Sequence, residues 1–368
     1  MPLSFIDLNA LHAPIEAELI EALVGTLRSG RYILGPEVEK LERSAAKLCG
    51  VSHAVGVSSG TDALLCALSA LGVGPGDKVI TTSFSFVATA DVIARLGAEP
   101  VFVDIEEGGY NLDPEQVAAK LDSKVKAVVA VHLFGRMADM KRLGEVCGQV
   151  PIVEDAAQSL GAERDGLKAA GCGALGCSSF FPTKNIGALG DGGLVTTDDE
   201  GLAEKVRMLR SHGGKTKNRH ELVGGNYRLD AIQAAVLNVK WPHLDAWTEA
   251  RRRHAAAYHR LIREADIPVD LPRPDSETDS SVWNQYVIAL DRRDELRAFL
   301  QKRGVPSMVY YETPLHLEPC FAPFGCKEGD APRAERAARR VLALPVHPAL
   351  DGQQIEFVVD SLAEFFEK

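Results

Sequence analysis

Short apolar runs alternate with amphipathic, helix-like stretches between residues 36 and 197. Strand-like runs cover residues 53–57, 78–82, 100–103, 125–132, 151–153, 178–181 and 193–197. Short, mostly apolar runs of this kind are typical of strands that are buried on both faces of a parallel sheet. The helical stretches between them match the crossovers that parallel strands require. The pattern therefore predicts a large α/β domain built from βα units.

The pattern changes after residue 228. Residues 228–263 keep a helical period, and Pro242 predicts the start of a new helix within them. A smaller α+β unit follows a proline-rich segment at 268–274, and its predicted strands and helices cover residues 282–290, 292–303, 305–311 and 353–366. We predict a large domain with an N-terminal arm over residues 1–245 and a smaller C-terminal domain over residues 246–368.

Composition and charge narrow the class of protein. Lys and Arg number 41 against 51 Asp and Glu, which gives a net charge of −10 and argues against nucleic acid as a partner. No apolar run approaches the roughly 18 residues that span a membrane, and the first residues do not read as a secretion signal. The seven cysteines form no CxxC pair, so we predict neither a disulfide framework nor a metal site. These features indicate an acidic cytoplasmic enzyme.

One lysine stands out for its chemistry. Lys184 ends the segment Ser-Ser-Phe-Phe-Pro-Thr-Lys on a loop that leaves a predicted strand and enters glycine-rich backbone. Lysine amines form imines with carbonyl compounds such as pyridoxal phosphate, and partial burial makes the amine easier to deprotonate. A loop lysine is otherwise most often a solvated charge. A covalent role therefore requires a phosphate cradle, a partner for a ring nitrogen and a stacking face elsewhere in the chain.

Gly60 and Thr61 are candidates for the phosphate cradle. They follow the predicted strand at 53–57 and precede a helical pattern at 63–71. Glycine allows a tight turn, and free backbone N–H groups at a helix N-terminus favour a phosphate. Simple capping of the helix by Thr61 or Asp62 is the alternative.

Asp155 and Phe86 are candidates for the ring contacts. Asp155 comes at the carboxyl end of an apolar run, where open α/β sheets bind ligands, and its charge could keep a ring nitrogen protonated. A helix cap or a magnesium ligand explains it equally well, and Glu154 points to the other face. Phe86 could stack on a planar ring, although an aromatic residue at such a place is more often a core residue, and the same holds for Phe84.

Seven segments occur in an order that one family shares: Ser-Gly-Thr-Asp-Ala-Leu, Ser-Phe-Val-Ala-Thr, Val-His-Leu-Phe-Gly, Glu-Asp-Ala-Ala-Gln-Ser, Ser-Phe-Phe-Pro-Thr-Lys, Gly-Asp-Gly-Gly and Asn-Tyr-Arg-Leu-Asp-Ala-Ile-Gln. In this order the chain closely resembles the DegT/DnrJ/EryC1/StrS family of pyridoxal-phosphate sugar aminotransferases, from Phe5 to near the C-terminus. The resemblance implies an α/β fold of the aspartate-aminotransferase type, called fold type I, with a mostly parallel central sheet. It also implies a homodimer with both active sites at the subunit interface.

The resemblance assigns contacts to the cofactor, pyridoxal 5'-phosphate. Lys184 would bind it through an imine and move the proton during transamination. Asp155 would pair with the pyridine nitrogen, Gln158 would lie beside the ring and its oxygen, and Phe86 would stack on the ring.

The cofactor phosphate has its own implied contacts. Gly60, Thr61 and the Ser179 hydroxyl would hold it from one subunit. Asn226 of the partner subunit would complete the set. The resemblance implies no metal.

The implied substrates are L-glutamate as amino donor and a nucleotide-linked keto sugar as acceptor, in amino-sugar biosynthesis. Substrate contacts would come from Tyr32, Arg228, Tyr310, Tyr311 and His316. Within the family, the chain most resembles the enzymes that act on UDP-2-acetamido-2-deoxy-3-oxo-glucuronate. Arg228 would then bind the sugar carboxylate, in a bidentate pair if the geometry allows.

One departure from the family pattern concerns the acceptor. The family commonly has His-Tyr-Pro where this chain has Tyr310, Tyr311 and Glu312. A substrate-side histidine is replaced and an acid is added. A dTDP-3-keto-6-deoxyhexose or a 4-keto sugar therefore remains an alternative acceptor.

Other classes of protein are alternatives to a sugar aminotransferase. The family includes members described as regulators, and dehydratases in which histidine replaces the lysine. Lys184 together with Asp155 argues against both. Were the resemblance accidental, a nucleotide-binding α/β enzyme would come next, but no GxGxxG or GxxxxGK[ST] motif opens a helix after the first strand.

Overall fold

A seven-stranded sheet forms the centre of the N-terminal two thirds of the molecule. The computed structural model describes residues 3–216 and 219–367. Its strands are β1 His53–Val57, β2 Lys78–Thr82, β3 Glu99–Val103, β4 Val125–Val131, β5 Ile152–Asp155, β6 Glu163–Arg164, β7 Leu167–Lys168, β8 Leu175–Ser179, β9 Gly193–Thr197, β10 Gly214–Thr216, β11 Arg219–His220, β12 Asp279–Ser280, β13 Tyr286–Ala289 and β14 Val341–Leu344.

The order in the main sheet is β1-β9-β8-β5-β4-β2-β3. Only β9 runs against the others, since it pairs antiparallel with both β1 and β8 while the remaining neighbours are parallel. The mostly parallel sheet confirms the predicted fold class. The carboxyl ends of β5 and β8 lie side by side, which brings the residues that follow each strand to one edge of the sheet.

Helices cover both faces of this sheet. The helices of the described residues are α1 Leu8–His12, α2 Glu16–Ser29, α3 Pro36–Cys49, α4 Gly60–Ala70, α5 Ala88–Arg95, α6 Pro114–Lys120, α7 Met140–Cys147, α8 Glu200–Leu209, α9 Ala231–Lys240, α10 Leu244–Glu264, α11 Arg293–Lys302, α12 Pro332–Arg340 and α13 Gly352–Phe366. Successive residues of a strand point to opposite faces of the sheet and pack into different hydrophobic cores. Val128 and Val129 of β4 are an example. Burial on both faces explains the continuous apolar runs in the sequence.

The strands β1, β2 and β9 begin and end at the residues predicted for them, 53–57, 78–82 and 193–197. The strand predicted at 178–181 was placed too late, because β8 already ends at Ser179. The helical stretch at 228–263 divides as Pro242 suggested: a short 3-10 turn at Trp241–His243 separates α9 from α10. The turn arises because proline has no N–H to continue an α-helical ladder.

The C-terminal part packs α10, α11 and α13 around the antiparallel pair β13 and β14. The strand predicted at 305–311 was wrong, because only Met308 pairs with β14, in a single bridge to Ala343. Pro306 has no N–H to give a ladder. The strand β14 was missed because it directly follows the arginine-rich helix α12, whose charges hide the short apolar run.

The two parts of the chain share elements. Leu244 at the start of α10 belongs to a core of the large part, whereas Ala255 and Tyr258 on the same helix belong to the C-terminal core. Leu3 and Phe5 pack against C-terminal residues. The domain boundary at 245/246 therefore stays a prediction. Within residues 3–216 and 219–367, none of the helices is long and apolar enough to cross a membrane.

Candidate active site

Lys184 lies in the loop that follows β8, at the edge of the sheet where β5 also ends. Its backbone N–H donates to the Phe181 carbonyl at 2.9 Å, so the loop turns back on itself directly after the strand. The side chain is partly buried. Burial lowers the pKa of Lys184 from its ordinary 10.5 to about 8, although the charge of Asp155 opposes this shift. The amine is therefore far easier to deprotonate than a surface lysine.

Asp155 is the last residue of β5 and is buried, with 6% of its surface exposed. Oδ2 accepts a hydrogen bond from the Thr89 hydroxyl at 2.8 Å, and Oδ1 accepts one from the Ala157 N–H at 3.2 Å. The Ser85 hydroxyl lies 3.1 Å from that of Thr89. Since the Thr89 hydroxyl proton is donated to Asp155, the Ser85 hydroxyl is the donor to Thr89.

Glu154, the neighbour of Asp155, faces the opposite side of β5. Burial alone would raise its pKa, but hydrogen bonds from His132 and from the N–H groups of Gly173 and Cys172 bring the pKa below its ordinary value. His132 Nδ1 accepts from the Ala138 N–H, so Nε2 carries the proton that is donated to Glu154 at 2.9 Å. The Glu154 carboxylate is thus engaged in hydrogen bonds that stabilise the fold.

Gln158 joins the end of β5 to two other parts of the chain. Its Oε1 accepts from the Phe134 N–H at 2.8 Å, and its Nε2 donates to the Tyr311 hydroxyl at 3.1 Å. Burial raises the pKa of Tyr311, so the hydroxyl stays protonated near neutral pH. The Tyr311 ring centroid lies 6.4 Å from that of Phe86.

Phe86 and Phe84 differ sharply in exposure. Phe84 is fully buried in an aromatic cluster, whereas 55% of Phe86 is exposed. An exposed phenyl ring beside a buried carboxylate and a partly buried lysine presents a free apolar face. This contrast separates the core residue from the candidate stacking residue, which the sequence could not do.

The start of α4 forms a tight cradle against β8. Ser59 caps the helix by accepting from the Asp62 N–H at 3.0 Å, which leaves Gly60 and Thr61 in the first turn, where N–H groups have no partner within the helix. A Cβ at Gly60 would lie 2.8 Å from the Ser179 Cβ. Only glycine allows this approach, and it brings the Ser179 hydroxyl to the helix N-terminus.

These residues fit pyridoxal phosphate. A readily deprotonated lysine, a buried carboxylate and an exposed ring face lie around the same edge of the sheet. Nearby, the N-terminus of α4 and the Ser179 hydroxyl supply donors of the kind that hold a phosphate. Over the residues that the structure describes, no group of three His, Cys, Asp or Glu side chains is arranged to hold a metal.

Three further predicted contacts make other interactions in the single chain. Asn226 is exposed and pairs through its backbone with Ser211, and the Tyr32 hydroxyl donates to the Leu27 carbonyl at 3.0 Å. Arg228 pairs through its backbone with Val57, and its buried Nε has no hydrogen-bond partner among the described residues.

The remaining predicted substrate contacts follow α11. The Tyr310 ring lies 6.3 Å from that of Phe5, so the N-terminal segment flanks this side of the site. His316 is only 1% exposed, and its Nε2 lies 3.1 Å from Glu335 Oε1. In this structure the His316 ring is a buried partner of Glu335, and a substrate contact for it remains a prediction.

Sequence reasoning missed Thr89. The signal was available: Thr89 lies in the first turn of the helix after β2, three residues from Phe86, and that helix starts at the same edge of the sheet as Asp155. The sequence analysis assigned no role to this hydroxyl.

Comparison with known proteins agrees with this geometry. Residues 14–363 match the DegT/DnrJ/EryC1/StrS aminotransferase family. The chain is 48% identical, over 100% of its length and 99% of the other chain, to the pleiotropic regulatory protein of Geobacillus stearothermophilus. It is 43% identical to the dTDP-3-amino-3,4,6-trideoxy-alpha-D-glucose transaminase of Streptomyces venezuelae, over 99% of this chain and 96% of the other.

A further relative is the UDP-2-acetamido-2-deoxy-3-oxo-D-glucuronate aminotransferase of Pseudomonas aeruginosa, with 38% identity over 98% of this chain and 99% of the other. Identity therefore does not single out the UDP-glucuronate enzymes. Among solved structures, S. venezuelae DesV in complex with a ketimine intermediate superposes with a TM-score of 0.96 and 42% identity, over 100% of this chain and 99% of the other. The chain belongs to the DegT/DnrJ/EryC1/StrS aminotransferase family, the pyridoxal-phosphate-dependent sugar aminotransferases of fold type I.

Proposed function

We propose that this enzyme transfers the amino group of L-glutamate to the 3-keto group of a nucleotide-linked sugar. The observation that carries the proposal is the placement of Lys184, whose pKa burial lowers to about 8, beside the buried Asp155 and close to the Gly60 cradle. A lysine with this pKa has a substantial neutral fraction near physiological pH, and the neutral amine can act both as a nucleophile and as a base.

Each residue of the site has a role in this proposal. Asp155 would hold a proton on the pyridine nitrogen, and the Thr89 hydroxyl fixes the direction of its carboxylate. Phe86 would stack on the ring, and Gln158 would lie beside it. When bound, pyridoxal phosphate supplies the electron sink for the proton shift. The Lys184 amine would take the proton from the substrate carbon and deliver it to a different carbon, as a 1,3-proton shift requires.

The phosphate is held by the start of α4. The N–H groups of Gly60 and Thr61 and the Ser179 hydroxyl donate to it, and the helix dipole adds to the attraction. Asn226 of the partner subunit donates a further hydrogen bond. Its exposure in the single chain leaves it available for that contact.

The relatives support attack at carbon 3 and differ on the nucleotide. The S. venezuelae relative is named for a dTDP-linked 3-amino sugar, and the P. aeruginosa relative for a UDP-linked 3-oxo sugar. Carbon 3 is common to both names. We take a 3-keto nucleotide sugar as the acceptor class and keep both nucleotides as candidates.

Arg228 favours a uronate acceptor. Its Nε is buried without a partner among the described residues, and such a group gains from binding a carboxylate. Glu312, the added acid, is exposed and accepts from Arg297 at 3.1 Å. That pair turns the acid toward α11, so its presence does not argue against an anionic sugar. A UDP-N-acetyl-3-oxo-glucuronate is therefore the proposed acceptor, with a dTDP-3-keto-6-deoxyhexose as the alternative.

A homodimer with shared sites completes the proposal. The apolar side chains of Phe86, Val87, Phe181 and Leu189 are exposed in the single chain, and they lie near the residues that surround Lys184. Exposed apolar side chains that cluster beside a functional site mark an interaction surface. A second copy of the chain would cover them and supply Asn226 and Arg228.

An acceptor panel tests the reaction. The purified enzyme, supplied with pyridoxal phosphate and L-glutamate, is given 3-keto and 4-keto nucleotide sugars linked to UDP or dTDP, with and without a carboxylate. We expect 2-oxoglutarate and a 3-amino sugar, measured by mass spectrometry. Turnover confined to 4-keto sugars, or absent with every acceptor, would contradict the proposal.

Mixing two variants tests the shared sites. Lys184→Ala and Asn226→Ala homodimers are both expected to be inactive or nearly so. If each site combines the two residues from different subunits, refolded mixtures regain about one active site in four, because half of the dimers are mixed and each has one intact site. No recovery in mixtures that contain mixed dimers would contradict sharing.

A regulatory function is the second candidate, since the Geobacillus relative is named a regulatory protein. The site argues for catalysis, because a non-catalytic protein has no need of a lysine with a lowered pKa beside a buried aspartate. Turnover in the acceptor panel would separate the two functions. A protein that binds pyridoxal phosphate but converts no acceptor would favour the regulatory alternative.

A further inference from the structure

The loop that carries Lys184 is tied to a distant segment, residues 281–285, which leads into β13. Asn185 Nδ2 donates to the Val282 carbonyl at 2.8 Å, and Asn284 Nδ2 donates to Asn185 Oδ1 at 2.6 Å. Both asparagines are buried, at 6% and 5% exposure. The residue next to Lys184 in sequence is therefore held by two hydrogen bonds from a segment almost 100 positions away.

The same segment is also anchored to the turn after β4. The Val282 N–H and the Ser281 hydroxyl both donate to the Gly135 carbonyl, at 2.9 and 3.0 Å. A Cβ on Gly135 would lie 2.7 Å from the Asn284 nitrogen, and Gly135 has a φ of +101°. Glycine is therefore required for the two backbones to come this close.

A buried arginine fixes the segment from the other side. Arg251 on α10 donates through Nη1 to the carbonyls of Trp283 and Asn284, at 3.2 and 3.4 Å, and to that of Val346. Burial lowers the pKa of Arg251 to about 10, still well above neutrality, so the guanidinium remains charged. Charge-assisted bonds to carbonyls are stronger than neutral ones, which makes this a rigid attachment.

The far end of the Lys184 loop is held separately by α9. Lys240 Nζ donates to the Gly187 carbonyl at 2.6 Å, and Gln233 Oε1 accepts from the Leu189 N–H at 2.9 Å. The asparagine pair thus fixes the loop at Asn185, directly next to Lys184, whereas α9 fixes the loop three to five residues after the lysine.

We propose that Asn185 and Asn284 are positioning residues, which hold the Lys184 amine toward Asp155 by fixing its backbone to the segment that leads into the C-terminal domain. The inference rests on the proposed role of Lys184. A lysine side chain has four rotatable bonds, so the direction of its amine depends on how firmly its backbone is held. Without the pair, the loop would admit water and the amine would lose the burial that favours its neutral form.

The experiment compares Asn284→Ala with Asn238→Ala. Asn238 is a matched control: it is also a buried asparagine, and its Nδ2 donates to the Glu37 carbonyl and carboxylate at 2.9 and 2.8 Å on another side of the molecule. Both variants lose buried hydrogen bonds, and we expect a similar loss of stability in each. Only Asn284→Ala removes a bond to the Lys184 loop.

Two readouts separate positioning from stability. The first is the rate at which cofactor-free protein condenses with pyridoxal phosphate, followed by absorbance across a pH series. We expect the midpoint in Asn284→Ala to move upward by about half a pH unit or more, because a looser loop is better hydrated. The second is steady-state kinetics, where kcat should fall about tenfold while KM for the nucleotide sugar changes little.

A midpoint and kcat equal to those of the wild type and of Asn238→Ala would overturn the proposal. If Asn284→Ala fails to fold, Asn284→Ser, which also cannot span the gap to Asn185, takes its place with the same expectations. Failure of the proposed function looks different: the wild type itself would then not condense with pyridoxal phosphate at Lys184, as peptide mapping after borohydride reduction would show.

Discussion

The hydroxyl of Thr89 lies 2.8 Å from Asp155 Oδ2, although 66 positions separate the two residues in sequence. The hydroxyl of Ser85 lies 3.1 Å from that of Thr89, so the three side chains form a short chain of hydrogen bonds that ends at the carboxylate. A buried carboxylate with a fixed donor on each oxygen has a defined direction, as the second shell of a catalytic group requires. Thr89 should therefore influence how well Asp155 holds the cofactor nitrogen.

Replacing Thr89 by valine tests this relationship, since valine keeps the shape and removes the donor. We expect kcat/KM to fall by about 5- to 30-fold, which corresponds to about 1–2 kcal/mol for a lost hydrogen bond to a charged group. Thr89→Ser, which retains the hydroxyl, should recover much of the loss. Equal activity in the valine variant and the wild type would show that the donor is dispensable.

Lys184→Ala should abolish turnover, because the variant lacks the amine that we propose as nucleophile and base. The expected loss in kcat is about 10⁴-fold or more, the upper range for a general acid–base group. Circular dichroism and thermal unfolding should remain close to those of the wild type. Lys302→Ala, at an exposed position on α11, is the control and should keep full activity. Multiple turnovers by the Lys184 variant would refute the assignment.

Condensation of cofactor-free protein with pyridoxal phosphate should depend on pH through Lys184. The reactive form is the neutral amine, and burial lowers its pKa from 10.5 to about 8. The rate should therefore rise as the pH passes through about 8 and level off above it. Asp155 opposes this shift, so Asp155→Asn should move the midpoint to lower pH. A midpoint near 10 in stopped-flow absorbance would show that Lys184 is solvated.

Gly60→Ala should weaken cofactor binding without unfolding the protein. The added methyl group would lie 2.8 Å from the Ser179 Cβ, so the helix start must move away from the strand. We expect the dissociation constant for pyridoxal phosphate to rise about tenfold, which is about 1.4 kcal/mol. Gly144→Ala in α7 has open space around the new Cβ and serves as control. Similar affinities in both variants would remove Gly60 from the phosphate cradle.

The Arg228→Leu variant distinguishes the two candidate acceptors by its effect on kcat/KM. A uronate should lose about 2 to 5 kcal/mol in kcat/KM if its carboxylate is left buried and unpaired, whereas a neutral 6-deoxyhexose should lose much less. The two acceptors are each other's control on the same protein sample. Equal losses on both would eliminate the carboxylate contact and favour the dTDP-linked alternative.

The sequence indicated the candidate residues on the cofactor side of the site, because those residues sit at strand ends where the pattern is clear. The end of β5 and the start of α4 are read directly from apolar runs followed by Asp155 or Gly60. The C-terminal part was less predictable. The segment at 305–311 has the composition of a strand but gains only a single bridge, since Pro306 has no N–H to give a ladder.

By itself, the sequence determined the βα order and indicated the lysine, the aspartate and the glycine turn as candidate site residues, because alternation of apolar runs and local turn chemistry are properties of short segments. Only the tertiary structure decided that Phe86 rather than Phe84 is exposed and that Glu154 is engaged in hydrogen bonds on the opposite side of β5. It also decided that Thr89 donates to Asp155 and that Asn284 donates to Asn185, the neighbour of Lys184. Those facts depend on contacts between residues far apart in the chain, which form only when the whole core has packed.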